Sequence, residues 1–157
     1  MGNGIEIERK FLVKDTIWKP KNDGLCIRQG YLSVDKERTV RVRIKGEKGY
    51  LTVKGITRGI SRVELEYEIP VSDAVQMLEG LCLRPLVEKT RYVEEYKGQL
   101  WEIDVFQGDN QGLVVAEAEL SAEDQVLELP KWAGQEVTGD KRYYNSYLSR
   151  QPYKTWT

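Results

Sequence analysis

Apolar and polar residues alternate along most of this chain, so that every second side chain shares one chemical character. Since neighbouring side chains of a strand point to opposite faces, a period of two predicts strands with one apolar and one polar face. The pattern predicts eight strands, at 5–13, 26–33, 39–45, 50–54, 61–69, 86–96, 100–106 and 113–120. Gly-rich stretches at 46–49 and 108–112 predict hairpin loops between strands three and four and between strands seven and eight.

Three segments between or after the strands are predicted to be helical. Ser72-Asp73 can cap a helix that runs to about residue 83, and 121–124 has an S-x-x-D capping pattern that Pro130 keeps short. A third helix is predicted at 140–150. Eight mostly sequential strands with short turns indicate a mainly β fold of the α+β class, built as an antiparallel meander. A closed barrel and a sandwich both satisfy this pattern.

Size and composition narrow the functional classes. The 157 residues predict one domain spanning 1–157. A formal net charge of −1, from 24 basic and 25 acidic residues, gives no indication of a nucleic-acid partner or an anionic membrane surface. No stretch is long and apolar enough to span a membrane. Two cysteines without a C-x-x-C motif fit a reducing, cytoplasmic setting.

The chain has no histidine, which restricts its chemistry. Catalysis by histidine, histidine–metal sites and a Ser–His–Asp triad are all excluded. Any bound metal must be held by oxygen ligands, which favours hard cations such as Mg²⁺, Mn²⁺ or Ca²⁺.

Charges on the polar faces are sorted by sign from strand to strand. The acidic groups are Glu6/Glu8, Glu64/Glu66/Glu68, Glu102/Asp104 and Glu117/Glu119, and the basic groups are Arg41/Arg43/Lys45 and Lys89/Arg91. A solvated face produces the same alternation, but it usually mixes signs because like charges repel. Residues i and i+2 lie about 7 Å apart, so each like-charged pair costs on the order of 0.6 kcal/mol in water. A metal–polyphosphate complex would relieve both kinds of group, since Arg and Lys bind phosphate and Glu binds hard cations.

Several short motifs occur in one order along the chain. They are E-x-E-x-K at 6–10, R-x-R at 41–43, Lys54, R-x-E-x-E at 62–66, K-x-R at 89–91, E-x-E at 117–119 and a C-terminal block at 137–145. Together they resemble the CYTH superfamily, also called triphosphate tunnel metalloenzymes. The resemblance implies a closed eight-stranded antiparallel barrel whose charged face points inward and lines a tunnel. A few helices would cover the outer face, and the resemblance also allows a homodimer.

The resemblance implies roles for individual residues. Triphosphate would be bound by Lys10, Arg41, Arg43, Lys54, Lys89 and Arg91. Mg²⁺ or Mn²⁺ would be held by Glu6, Glu8, Glu117 and Glu119, with help from Asp104. Glu64 and Glu66 would bind a second metal or orient the attacking water, and Lys10 with Tyr31 would act near the reacting end. Glu68, Glu102, Lys45 and Arg62 either join them or only balance charge.

The implied activity is metal-dependent hydrolysis of a triphosphate, with inorganic tripolyphosphate cleaved to pyrophosphate and phosphate. A class IV-type adenylate cyclase and a thiamine triphosphatase use the same scaffold and stay open as alternatives. So does a polyphosphate binder without catalysis, although a pure anion receptor has little use for the acidic pairs. The sequence shows no residue cluster that builds an adenine pocket.

Overall fold

A computed structural model describes residues 4–156, and its strands close into an antiparallel barrel. The strands are β1 (Ile5–Val13), β2 (Leu25–Ser33), β3 (Arg38–Lys45), β4 (Lys48–Gly55), β5 (Ser61–Ile69), β6 (Val87–Tyr96), β7 (Gln99–Phe106), β8 (Val114–Glu119) and β9 (Ala133–Glu136). The barrel order is β1-β5-β4-β3-β2-β6-β7-β8, and β8 pairs again with β1. The eight predicted strands and the closed barrel are therefore confirmed.

The strand order departs from the predicted meander at two places. Strand β1 pairs with β5 and β8, and strand β2 pairs with β6. The connections that follow β1 and β5, at 14–24 and 70–86, are long enough for the chain to pass a neighbouring strand. Alternation reveals which residues form strands, whereas neighbours are set by packing between distant segments.

Strand β9 was not predicted from the sequence. It pairs with β1 through Phe11↔Glu136 and Val13↔Ala133. Its four residues are too few to show a period of two, and they include a glycine. That glycine allows the close approach, because a Cβ on Gly134 would lie 3.0 Å from the carbonyl oxygen of Leu12.

The helices are fewer and shorter than predicted. Helix α1 (Val71–Gly80) begins after Pro70, without a side-chain cap from Ser72-Asp73, and it covers β3 and β4. It buries Ala74 and Leu78 but not Leu81, which lies beyond its end and is 69% exposed. The predicted helix at 121–124 is absent, since that segment forms bends and turns.

The predicted helix at 140–150 is broken. A 3-10 turn at Lys141–Tyr143 is followed by Tyr144 in an extended conformation, with φ −71° and ψ 136°, before α2 (Asn145–Leu148) begins. An extended residue stops the i to i−4 hydrogen bonds, so one continuous helix cannot form. Short 3-10 turns also occur at Gly108–Asn110 and Tyr153–Thr155.

Apolar side chains pack on both sides of the barrel wall. Outside, Trp101, Phe11 and Ile103 form a buried cluster with Trp18 and Trp132 from the connecting segments. At one end of the barrel, a second cluster joins α2 to the barrel strands and contains Val87, Phe106, Leu113, Val115 and Leu148. The C-terminal segment therefore closes against that end.

Part of the outer face is left uncovered in the single chain. Val63, Leu65 and Tyr67 of β5 share this face and are all exposed. Whether a second subunit covers them stays a prediction. No helix within residues 4–156 combines the length and the apolar character needed to cross a membrane.

Candidate active site

A cavity of about 300 Å³ lies inside the barrel and is lined by charged side chains. Thirteen of the fourteen residues given a site role from the sequence line it, namely Glu6, Glu8, Lys10, Tyr31, Arg41, Arg43, Lys54, Glu64, Glu66, Lys89, Arg91, Glu117 and Glu119. The fourteenth, Asp104, is buried behind Lys89 and Arg91 and bonds to both. The charged faces of the strands thus point inward. Lys45, Arg62 and Glu102 also line the cavity, whereas Glu68 is exposed elsewhere on β5.

Acidic and basic side chains meet across neighbouring strands. Lys10 of β1 lies opposite Glu117 of β8, with Nζ 3.3 Å from Oε1. Lys54 of β4 lies between two carboxylates, 3.1 Å from Glu6 and 3.1 Å from Glu64. The antiparallel register therefore alternates cations and anions around part of the wall.

The carboxylates around β1 are more crowded than these two lysines can balance. Burial, together with repulsion from Glu117 and Glu6, raises the pKa of Glu8 well above its ordinary value. Burial and the neighbouring Glu64 likewise raise the pKa of Glu6 against the pull of Lys54. Burial works against ionisation of Glu117 too, but Lys10 and a hydrogen bond from Glu8 hold its pKa well below its usual range. Of these two carboxylic acids, Glu8 is therefore the weaker and Glu117 the stronger.

Asp104 organises two of the basic residues. Its carboxylate accepts hydrogen bonds from Lys89 Nζ at 2.7 Å and from Arg91 Nε and Nη2 at 2.8 and 2.9 Å. Although burial raises the pKa of Asp104, these two cations lower it to about 2. Burial lowers the pKa of Lys89 to about 7, despite the attraction of Asp104. These contacts occupy the carboxylate without testing the prediction that Asp104 helps to hold a metal.

Among the described residues, the guanidinium groups of Arg41 and Arg43 are only partly hydrogen-bonded. Arg43 donates to Glu66 at 3.2 Å, and Arg41 donates to Thr52 Oγ1 at 3.2 Å. Within residues 4–156, Nε of Arg41 and both Nε and Nη1 of Arg43 are buried and have no hydrogen-bond partner. Burial, with repulsion from Arg41 and Arg91, lowers the pKa of Arg43 to about 10. Buried donors without partners are costly, so an anion between them would be stabilised.

The C-terminal segment contributes residues that had no role assigned from the sequence. Thr138, Gly139, Tyr144, Asn145 and Ser146 line the cavity. Lys10 Nζ donates to the backbone carbonyl of Tyr143 at 3.1 Å and lies 5.6 Å from the centre of the Tyr144 ring. The Tyr143-Tyr144-Asn145 run in the C-terminal block was the available signal, but its side-chain contacts depend on the broken helix.

Tyr31 lies where the sequence placed it, on the inner face of β2 opposite Arg41. It is buried and lines the cavity together with Lys10. No hydrogen bond joins the two side chains in the part of the chain that is described, so their joint role stays a prediction.

The donor set suits a hard cation. Glu6, Glu8, Glu64, Glu117 and Glu119 bring carboxylate oxygens to one cavity, and burial together with their mutual repulsion raises the pKa of Glu6 and Glu8. A divalent cation would relieve this repulsion. Between residues 4 and 156, however, no three His, Cys, Asp or Glu side chains are already grouped as a metal site.

Known proteins resemble this chain in sequence and in structure. Curated inorganic triphosphatases from Acetivibrio thermocellus and Nitrosomonas europaea are 52% identical over 153 residues and 40% identical over 148 residues. These matches cover 98% of both chains in the first case, and 92% of this chain and 96% of the relative in the second. The crystal structure of the inorganic triphosphatase NE1496 superimposes with a TM-score of 0.66 at 38% identity, covering 92% of this chain and 93% of that one.

A family model described as the CYTH domain matches residues 4–146, which confirms the resemblance drawn from the motifs. The match includes every strand and all the residues of the charged cavity. The chain belongs to the CYTH domain family.

Proposed function

We propose that this protein is a metal-dependent triphosphatase that cleaves inorganic tripolyphosphate to pyrophosphate and phosphate. The observation that carries the proposal is the set of buried, unpartnered N–H groups of Arg41 and Arg43 in a cavity that also holds crowded carboxylates. A bare polyanion would satisfy the arginines but would be repelled by the carboxylates. A metal–triphosphate complex satisfies both. The two curated relatives named inorganic triphosphatases support the same substrate.

The basic residues would bind the phosphate chain. Arg41, Arg43, Lys54, Lys89 and Arg91 surround the cavity together with Lys10. Lys10, Arg41, Arg43 and Lys89 are buried, so their positive charge acts through a lower effective dielectric than that of water, which strengthens each phosphate contact. Preformed cations also stabilise the charge that develops on the leaving pyrophosphate, without reorganisation during the reaction.

Glu6, Glu8, Glu117 and Glu119 would hold Mg²⁺ or Mn²⁺, hard cations that carboxylate oxygens suit. Mg²⁺ is usually held by one or two carboxylates, with substrate phosphates and water completing its shell. When bound, the metal would neutralise phosphate charge and promote ionisation of a water. The raised pKa of Glu8 opposes metal loading at low pH, since a carboxylate binds metal in its ionised form.

Four residues would act close to the reacting phosphoryl group. Lys10 is held by Glu117 and by the carbonyl of Tyr143, which directs its ammonium toward the cavity. Glu64 pairs with Lys54 and would orient the attacking water through its other oxygen. Glu66 accepts from Arg43 and Thr52, so it sets the position of the arginines. Tyr31 would contribute its hydroxyl to the same region.

The other partner predictions remain part of this proposal. No nucleic-acid partner is proposed, because Lys54, Lys89 and Arg91 lie inside the barrel and pair with carboxylates. A cytoplasmic setting fits the two cysteines, Cys26 and Cys82, which are both free.

The test is phosphate release from tripolyphosphate, ATP and thiamine triphosphate with Mg²⁺ or Mn²⁺, with cyclic AMP measured in the ATP reaction. We expect rapid release from tripolyphosphate that is lost when metal is chelated. The double variant E6Q/E8Q should lose at least 100-fold in kcat/KM, because two cavity carboxylates are neutralised without a change of shape. The matched control is Glu68→Gln, an exposed carboxylate on the neighbouring strand that does not line the cavity.

Each alternative outcome identifies a different function. Cyclic AMP without phosphate release would establish a cyclase instead, and preference for thiamine triphosphate would change the substrate. Tripolyphosphate that binds without turnover would refute catalysis and leave a polyphosphate binder.

A further inference from the structure

The side-chain amide of Asn145 has an orientation that chemistry dictates. One atom of this amide lies 3.0 Å from Lys89 Nζ and 2.7 Å from Gln29 Nε2. In its ammonium form, paired with Asp104 at 2.7 Å, Lys89 has only N–H donors, so the atom that faces it is the amide oxygen. Gln29 then also has to donate to the same oxygen. Both lone pairs of Asn145 Oδ1 are used, which fixes the amide between β2 and β6.

Lys89 depends on this contact because it has few other acceptors. It is 1% exposed, and its ammonium donates to Asp104 Oδ2 and to Asn145 Oδ1. The Phe106 ring, 5.4 Å away, attracts the cation but accepts no directed hydrogen bond. Two of the three N–H bonds are thereby directed to known atoms. The third is left for a group in the cavity that Lys89 lines.

Asn145 belongs to the C-terminal segment and not to a barrel strand. It is the first residue of α2, and the extended Tyr144 before it interrupts the helix and turns the chain into the barrel end. Gln29 is fully buried on the inner face of β2, and its other amide atom, Oε1, has no partner among the described residues. A buried amide is left half satisfied so that its N–H can support Asn145. An unsatisfied buried polar group lowers the stability of the fold, and such groups are typically retained for function.

We propose that Asn145, supported by Gln29, is a positioning residue that directs the Lys89 ammonium toward the bound triphosphate. The C-terminal segment is then part of the binding machinery as well as a closure of the barrel end. Without the Asn145 oxygen, the ammonium is free to turn fully toward Asp104, and its third N–H loses a fixed direction. This inference rests on the proposed function, because it assigns Lys89 a phosphate of the substrate.

A double-mutant cycle of Asn145→Leu with Lys89→Met tests the proposal. Steady-state kinetics on tripolyphosphate should show a fall in kcat/KM of at least tenfold for Asn145→Leu, mainly through a higher KM. In the Lys89→Met background the same substitution should change kcat/KM by less than twofold, because the group it positions is gone. Equal effects in both backgrounds would overturn the proposal. Gln29→Leu, which leaves Asn145 in place, should raise KM about threefold alone and add nothing to Asn145→Leu.

The matched control for a merely structural role is Asn110→Ala. Asn110 is also buried and also anchors the C-terminal segment, since its Oδ1 accepts from the backbone N–H of Tyr153 at 2.8 Å. It does not contact Lys89. We expect a lower melting temperature with kcat/KM within twofold of the unsubstituted protein. A rise in KM equal to that of Asn145→Leu would show that loosening of the segment is the cause.

Turnover of tripolyphosphate by the unsubstituted protein distinguishes failure of this inference from failure of the proposed function. No turnover of tripolyphosphate would refute the function itself. Turnover with an additive cycle would refute only the positioning role. The unfolding free energies of the unsubstituted protein, the two single variants and the double variant of the cycle give a second readout. We expect these free energies to show a coupling between Asn145 and Lys89 whatever the substrate is.

Discussion

Replacing Asp104 with Asn tests the electrostatic organisation of the cavity wall. Asp104 is 2% exposed and accepts three hydrogen bonds from Lys89 and Arg91. Asn keeps the shape but loses the charge and one acceptor oxygen. Two buried cations then face each other without their shared anion, which is the situation in which breaking a buried ion pair is most costly.

The magnitude follows from two lines of reasoning. Removing one partner from a buried pair costs about 3–5 kcal/mol. The pKa of Asp104, lowered from 3.8 to about 2, corresponds to about 2 kcal/mol of stability. We therefore expect the free energy of unfolding to fall by about 2–5 kcal/mol, and the melting temperature to fall on the order of 10 °C.

The pH dependence has a defined sign. Because the folded-state pKa lies below the unfolded value, the unfolded chain binds more protons between about pH 4 and pH 2. The contribution of Asp104 is fully present above about pH 4 and is lost as the pH falls through about 2. The part of the stability difference between the original protein and Asp104→Asn that comes from ionisation of Asp104 should therefore be present at pH 4 and shrink below it.

Urea unfolding followed by circular dichroism measures this difference across pH 2–7. Glu102→Gln is the matched control, since Glu102 also pairs with Arg91, at 3.3 Å, but its side chain is 42% exposed. An exposed pair contributes about 0–1 kcal/mol, so this variant should hardly change. A loss below 1 kcal/mol for Asp104→Asn, or a loss equal to that of the control, would refute the reasoning.

Two further predictions concern neighbouring parts of the cavity. Thr52 is fully buried and its hydroxyl joins Glu66 to Arg41, so Thr52→Val should cost about 1–3 kcal/mol in urea unfolding, and Thr52→Ser should restore most of it; equal stability of the Val variant would contradict the hydrogen-bond assignment. The raised pKa of Glu8 means that protons compete with metal above pH 4.5, so Mg²⁺ affinity measured by calorimetry should fall as the pH falls toward that value. An affinity that stays constant down to pH 4.5 would contradict this competition.

The sequence predicted the barrel wall well because that wall depends on a local rule. The sign-sorted rows at Glu6/Glu8, Arg41/Arg43 and Glu117/Glu119 need only the period of two to share a face, and the resemblance identified that face as the inner one. Their contacts across strands, such as Lys54 with Glu6, follow from a register that no single strand contains. The sequence thus identified the residues that line the cavity but not the ion pairs between them.

The C-terminal part was predicted poorly because it depends on contacts between distant segments. The stretch 140–150 has helical composition, yet Tyr144 is extended so that Asn145 can reach Gln29 and Lys89. Strand β9 is held by pairing with β1 and by the close approach at Gly134 rather than by its own pattern. The same limit applies to Asp104, because its place in the acidic pair Glu102/Asp104 did not show that Lys89 and Arg91 bind its carboxylate.

The central claim is that the inward charged face binds a metal–triphosphate complex and cleaves it. Phosphorus-31 NMR of tripolyphosphate with the protein and Mg²⁺ or Mn²⁺ tests this claim most directly, because it follows substrate and both products together. The account predicts that pyrophosphate and orthophosphate signals appear in equal amounts, and that neither appears when metal is chelated. A tripolyphosphate spectrum that stays unchanged with either metal would contradict it.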